Sequence, residues 1–171
     1  QRIKAWRNDP VLFCREVIQV EPDEWQADAL RAFGDPAIQR ISLQACAGPG
    51  KTFVEAVMGW NFVFCYAQPG HHPNGAATAV NGDNLKNNLW KELAVLYGRA
   101  PILQQFFGWN AEKIFQKDHP STWFLAARTW SKTANLEEQG RTLSGLHSKF
   151  ILYLIDESGD INPAILKTAE Q

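Results

Sequence analysis

Apolar positions recur along the chain at two periods, and the switches between them predict alternating helices and strands. Residues 11–18 (VLFCREVI), entered through Asp9-Pro10, predict a short amphipathic helix. Residues 23–33 (DEWQADALRAF) place Trp25, Ala29, Leu30 and Phe33 on one helical face, with Gly34 closing it. Residues 40–45 (RISLQA) alternate polar and apolar and predict a strand, followed by a Gly-Pro-Gly turn. Residues 52–66 are apolar nearly all round, as in a helix buried against a sheet, and stop before Pro69-Gly70. An exposed loop is expected over 67–75, a short strand over 76–80, and an amphipathic helix over 84–98 through Leu85, Leu89, Trp90, Leu93 and Leu96. Residues 122–127 predict another strand, 129–146 a polar loop, and 149–155 (KFILYLI) the strongest strand. Asn162-Pro163 has the N-cap and first-turn chemistry of a terminal helix. The alternation, ending in a strand apolar on both faces, predicts an α/β domain with a mostly parallel central sheet flanked by helices.

Composition narrows the classes. The chain has 171 residues, 45% hydrophobic and 20% charged, with seven Trp and ten Phe. That is a globular composition, and it excludes a disordered tail, a collagen-like repeat and a coiled coil. A net charge of −1 excludes a uniformly basic nucleic-acid clamp. Cys14, Cys46 and Cys65 are odd in number and lack a C-x-x-C pair, which speaks against a disulfide framework and for a reducing compartment. No apolar run is long enough for a membrane span, and the start has no signal-peptide pattern. The chain opens on Gln1 and is expected to be a fragment: one domain over 1–171, with N-terminal helices over 1–38 and a core over 39–171.

The candidate chemistry begins at Ala45-Cys46-Ala47-Gly48-Pro49-Gly50-Lys51-Thr52, between an expected strand and an expected helix. From its second glycine it fits the phosphate-loop pattern x-x-x-G-x-G-K-T, with Ala45 where the first glycine normally stands. Gly48 and Gly50 would let successive N–H groups face one anion, and Pro49 contributes no N–H. The helix that follows would add its positive end, Lys51 would reach the β- and γ-phosphates, and Thr52 would put its hydroxyl on Mg²⁺. The apolar strand 151–155 ends in Asp156-Glu157. At that end Asp156 would hold Mg²⁺ and Glu157 would orient the attacking water. The fold expected is thus a P-loop NTPase of the RecA-like, additional-strand branch, with ATP and Mg²⁺ as cofactors.

Further residues carry a resemblance. D-E-W-Q ending at Gln26, the loop A-C-A-G-P-G-K-T, T-A-V-N-G-D-N-L-K-N-N-L-W-K-E-L (78–93), T-W-F-L-A-A-R-T-W-S (122–131) and G-L-H-S-K-F-I-L-Y-L-I-D-E-S-G-D-I (145–161) occur in that order. Together they resemble the N-terminal ATPase domain of the large terminase subunit, the DNA-packaging motor of tailed bacteriophages. The resemblance implies that Gln26 reads adenine, and that ATP hydrolysis drives double-stranded DNA into a capsid. It implies a ring homo-oligomer on the capsid, with portal protein and small terminase subunit as partners, in the cytoplasm of an infected bacterial host. The family's coupling motif and nuclease domain are expected beyond Gln171. Many terminases carry an Arg within the phosphate loop, where Cys46 and Ala47 stand here. Arg141, ahead of Arg128 and Arg99, is the candidate arginine finger, in cis or from a neighbouring subunit. The alternatives are a helicase-like nucleic-acid-dependent ATPase, or a nucleotide-binding module without turnover. His71-His72 lacks partners at metal-ligand spacing. His147 in the G-L-H turn is expected to be packed or hydrogen-bonded. Lys86, Lys91, Lys113, Lys117 and Lys132 are too scattered to form a patch by sequence.

Overall fold

The computed structural model describes residues 1–44, 48, 50–79, 81–129 and 144–156. Five strands, β1 (Asn74–Thr78), β2 (Phe107–Trp109), β3 (Lys113–Gln116), β4 (Phe124–Ala127) and β5 (Ile151–Ile155), form one sheet in the order β2-β3-β4-β1-β5. The α/β class is as expected, and the sheet is mixed. β4, β1 and β5 run parallel, with Ala76 opposite Ala126 and Tyr153, and Thr78 opposite Ile155. β2 and β3 add an antiparallel hairpin at one edge. The parallel trio carries its three carboxyl ends to one side, which is where α/β sheets bind ligands.

The helices are α1 (Arg2–Asn8), α2 (Pro10–Phe13), α3 (Glu24–Gly34), α4 (Lys51–Cys65), α5 (Gly82–Leu85), α6 (Lys91–Arg99) and α7 (Pro101–Phe106). A π-helical turn over Cys14–Ile18 continues α2, and another over Lys86–Trp90 joins α5 to α6. α4 is buried from Ala56 to Cys65, as its all-round apolar sequence requires. Gly59 seats it on the sheet: a Cβ there would stand 3.1 Å from Leu154 and 3.3 Å from Leu125 and Leu93. Several polar groups inside this layer are paired, although the Asn61 Oδ1 is enclosed without a donor among the described residues. Trp60 donates its indole N–H to the Leu93 carbonyl at 2.9 Å, Asn61 donates to the Trp6 carbonyl at 2.9 Å, and Trp123 donates to the Val63 carbonyl at 2.6 Å. Tyr66, just past α4, packs against Phe150 just before β5, so α4 runs from the carboxyl edge of the sheet to its amino edge.

Several expectations are corrected. Residues 40–44 form no strand. Their burial still alternates, with Ile41 and Leu43 against the core and Arg40, Ser42 and Gln44 exposed, but no ladder pairs them. Alternation specifies two faces, whereas a strand also needs a neighbour's N–H and C=O groups. The loop 67–75 is exposed only in part: Pro73, Asn74 and Gly75 are buried, and the last two open β1. β5 is less covered than its sequence suggests, with Leu154 buried and Ile151 41% exposed. Helices α1 and α7 and the β2–β3 hairpin were not anticipated. Each is too short to show a period. The hairpin turns on Asn110, whose Oδ1 accepts from the backbone N–H of Glu112 and Lys113, both at 2.9 Å. Most of the polar loop 129–146 and the terminal helix from Asn162 lie outside the described residues. Cys14 and Cys65 are buried free thiols; burial, with help from Glu21 and against Arg15, pushes Cys14 up to about 12.

Candidate functional site

The site starts where the chain turns into α4. Gly48 has φ 89° and Gly50 φ 84°, both in the left-handed region that a side chain rarely adopts. Gly50 is the N-cap of α4, and Lys51 and Thr52 form its first turn, each half-buried. The first N–H groups of a 15-residue helix lack intrahelical acceptors and follow Gly48 closely in the chain, where nothing stands within 4 Å of a Cβ position. Such an end, with its aligned dipole, favours an anion.

Opposite lies the carboxyl edge of β5. Asp156 directly follows the strand, is 6% exposed, and donates its backbone N–H to the Thr78 carbonyl at 2.9 Å. Leu154 packs under Gly59 of α4, and Asp156, two residues on, shares that face of the sheet. Glu55, one turn beyond Lys51, closes the arrangement. Its Oε2 is enclosed and meets no hydrogen-bond donor among the described residues. Burial pushes its carboxyl up to about 8, the charge of Asp156 pushes in the same direction, and the charge of Lys51 opposes. One ammonium and two carboxyls are thus gathered here, with Asp156 buried and Lys51 and Glu55 half-buried. The sequence reading passed over Glu55 as part of an apolar helix. The available signal was that it is the single charged residue between Lys51 and Cys65.

Gln26 is brought to this site from α3. It is 8% exposed; its Oε1 accepts from the Asp23 N–H at 2.9 Å, and its Nε2 lies 2.6 Å from where a Cβ on Gly50 would be. Trp25 beside it is half-buried against the core. Arg128 lies just past β4 at the same edge, its backbone N–H bonded to the Ala77 carbonyl at 2.8 Å and its guanidinium to the Ser144 carbonyl. Arg99 ends α6, on a helix that runs away from this edge. His147 is exposed, not packed. A neighbouring cleft, lined by Gly82, Leu85, Lys86, Trp90, Ala127 and Thr129, includes part of the 78–93 segment. Lys113 and Lys117 bond to the backbone carbonyls of Pro120 and Gln104, so they are spent on the hairpin and its flanks. Pro49, Arg141 and Glu157 lie outside the described residues, as do Cys46 and Lys132.

The residues present suit a phosphate chain with a hard divalent cation. Thr52 and Asp156 offer oxygen, the donor type Mg²⁺ takes, and the open side of Gly48 is the face a phosphate would occupy. Compared with protein-family models, curated proteins and solved structures, the chain matches none. Among the described residues, no helix is long and apolar enough to cross a membrane.

Proposed function

We propose that this chain is a Mg²⁺-dependent ATPase domain of a viral DNA-packaging terminase large subunit. The observation that supports the chemistry is the junction of Gly48, Gly50 and Lys51 at the start of α4 with the buried Asp156 at the end of β5. In this reading the α4 N-terminus and the loop N–H groups bind the phosphates, and Lys51 neutralises charge that builds toward the leaving group. Thr52 and Asp156 would hold Mg²⁺, which would supply positive charge against the phosphates. Glu157 orients water in line with the γ-phosphate, and Arg141 is the candidate donor of a further positive charge. The motor role, with double-stranded DNA, portal protein and small terminase subunit as partners in a ring, rests on the sequence resemblance.

Phosphate release by the full-length protein tests the enzyme. Hydrolysis that needs Mg²⁺, is lost in Lys51→Ala and rises with double-stranded DNA supports the packaging reading. Stimulation by single-stranded nucleic acid alone would favour a helicase-like ATPase. Tight ATP binding without release would favour a binding module.

A further inference from the structure

Gln26 occupies the third position of α3 and is more than nine-tenths buried. Its amide serves two helix starts at once. The Oε1 accepts from the Asp23 N–H at 2.9 Å, while the Asp23 side chain accepts from the backbone N–H of Gln26, a reciprocal capping box. The Nε2 is turned the other way, onto Gly50, where a methyl group would stand 2.6 Å from it. Gly50 needs such a wall. A glycine takes positive and negative φ about equally, so its own preference does not hold φ at 84°. Because Gly50 is the N-cap of α4, its conformation sets the direction in which Lys51 and the first N–H groups leave the loop.

We propose that Gln26 is a positioning residue of the phosphate loop: its amide, anchored by the α3 cap, holds Gly50 and thereby Lys51, instead of reading the base. The inference rests on the phosphate-site reading of Gly48 to Thr52. The amide thus touches both elements: its oxygen is engaged by the Asp23 N–H, and its nitrogen lies against Gly50.

Dissociation constants of the full-length protein for Mg-ATP, Mg-GTP and Mg-tripolyphosphate separate the roles. Gln26→Met keeps the volume and loses both polar ends. It is expected to weaken all three ligands by the same factor, about tenfold or more. Asp23→Ala removes only the side-chain half of the capping box and keeps the Asp23 N–H that anchors the Gln26 amide, so it is expected to lower the melting temperature while leaving the three constants unchanged. Loss of ATP binding alone in Gln26→Met, with tripolyphosphate retained, would make Gln26 a base reader and overturn the proposal. Three unchanged constants would make it a cap only, which also overturns it. Should Gln26→Met fail to fold, Gln26→Glu keeps the cap acceptor and is read the same way; undiminished tripolyphosphate affinity there overturns the proposal. If the unmodified protein binds none of the three, the phosphate-site reading fails and this inference falls with it.

Discussion

Glu55 shows what one buried side chain does to the pH response of the fold. Burial, then Asp156, raise its carboxyl from 4.5 to about 8, against the pull of Lys51. A folded-state value above the unfolded one means that folding favours the neutral acid. The stabilisation is therefore complete below about pH 4.5 and is lost as pH rises toward 8. Glu55→Gln is neutral throughout. It is expected to raise stability at pH 7 by up to about 3 kcal/mol and to flatten this part of the pH profile, checked by urea unfolding from pH 5 to 9. Gly48, Gly50, Lys51, Thr52 and Asp156 could be picked out in the sequence as candidates because the phosphate-loop pattern asks for those types at that spacing. Glu55 was not, because its environment is made first by burial and then by Asp156, about a hundred residues away in the chain. Gln26 was legible as a site residue. Its bond to the Asp23 cap and its approach to Gly50 became visible only when α3 was packed beside α4.

At the scale of elements, α4 and the rings at the amino edge of the sheet each carry a prediction. The sequence marks residues 52–66 as a buried helix, but why Gly59 sits mid-helix appears only from Leu154, Leu125 and Leu93 around it. Gly59→Val adds bulk into contacts already at 3.1–3.3 Å. It is expected to cost about 1–3 kcal/mol although valine is the better helix former, measured by thermal or urea unfolding. At the amino edge, His72 stacks on Trp123 with ring centroids 5.1 Å apart and on His119 at 4.5 Å, and its Nδ1 bonds to the Thr122 hydroxyl at 2.9 Å. Burial and then the His119 charge lower its basicity. A folded-state value below the unfolded one means that protonation opposes folding, so this contribution is present above about pH 6.5 and is lost as pH falls below it. His119→Gln is expected to retain a larger share of its stability at pH 5 than the parent does, read from melting temperatures at pH 5 and 7.5. This clamp had no sequence signal, since its rings come from two segments about fifty residues apart, His72 and His119–Trp123.

Across the whole molecule, α1 is tied to the opposite end of the chain. The Arg7 guanidinium lies 4.4 Å from the Tyr66 ring centre and 4.7 Å from that of Phe150. It joins α1 to the end of α4 and the entry of β5. Arg7→Ala is expected to destabilise the fold by about 1–2 kcal/mol, and Arg7→Lys by less, by the same unfolding measurements. The sequence by itself determined the α/β class, the helices near 23–33, 52–66 and 84–98, the strands near 122–127 and 149–155, and the residues of the phosphate motif. Those features depend on local period, caps and turn chemistry, which the chain carries from one residue to the next. The tertiary structure alone decided that the sheet is mixed, that residues 40–44 stay unpaired despite their alternation, and that Glu55 and Gln26 close on the loop. Strand pairing and desolvation depend on which distant segments meet, and no local period records that.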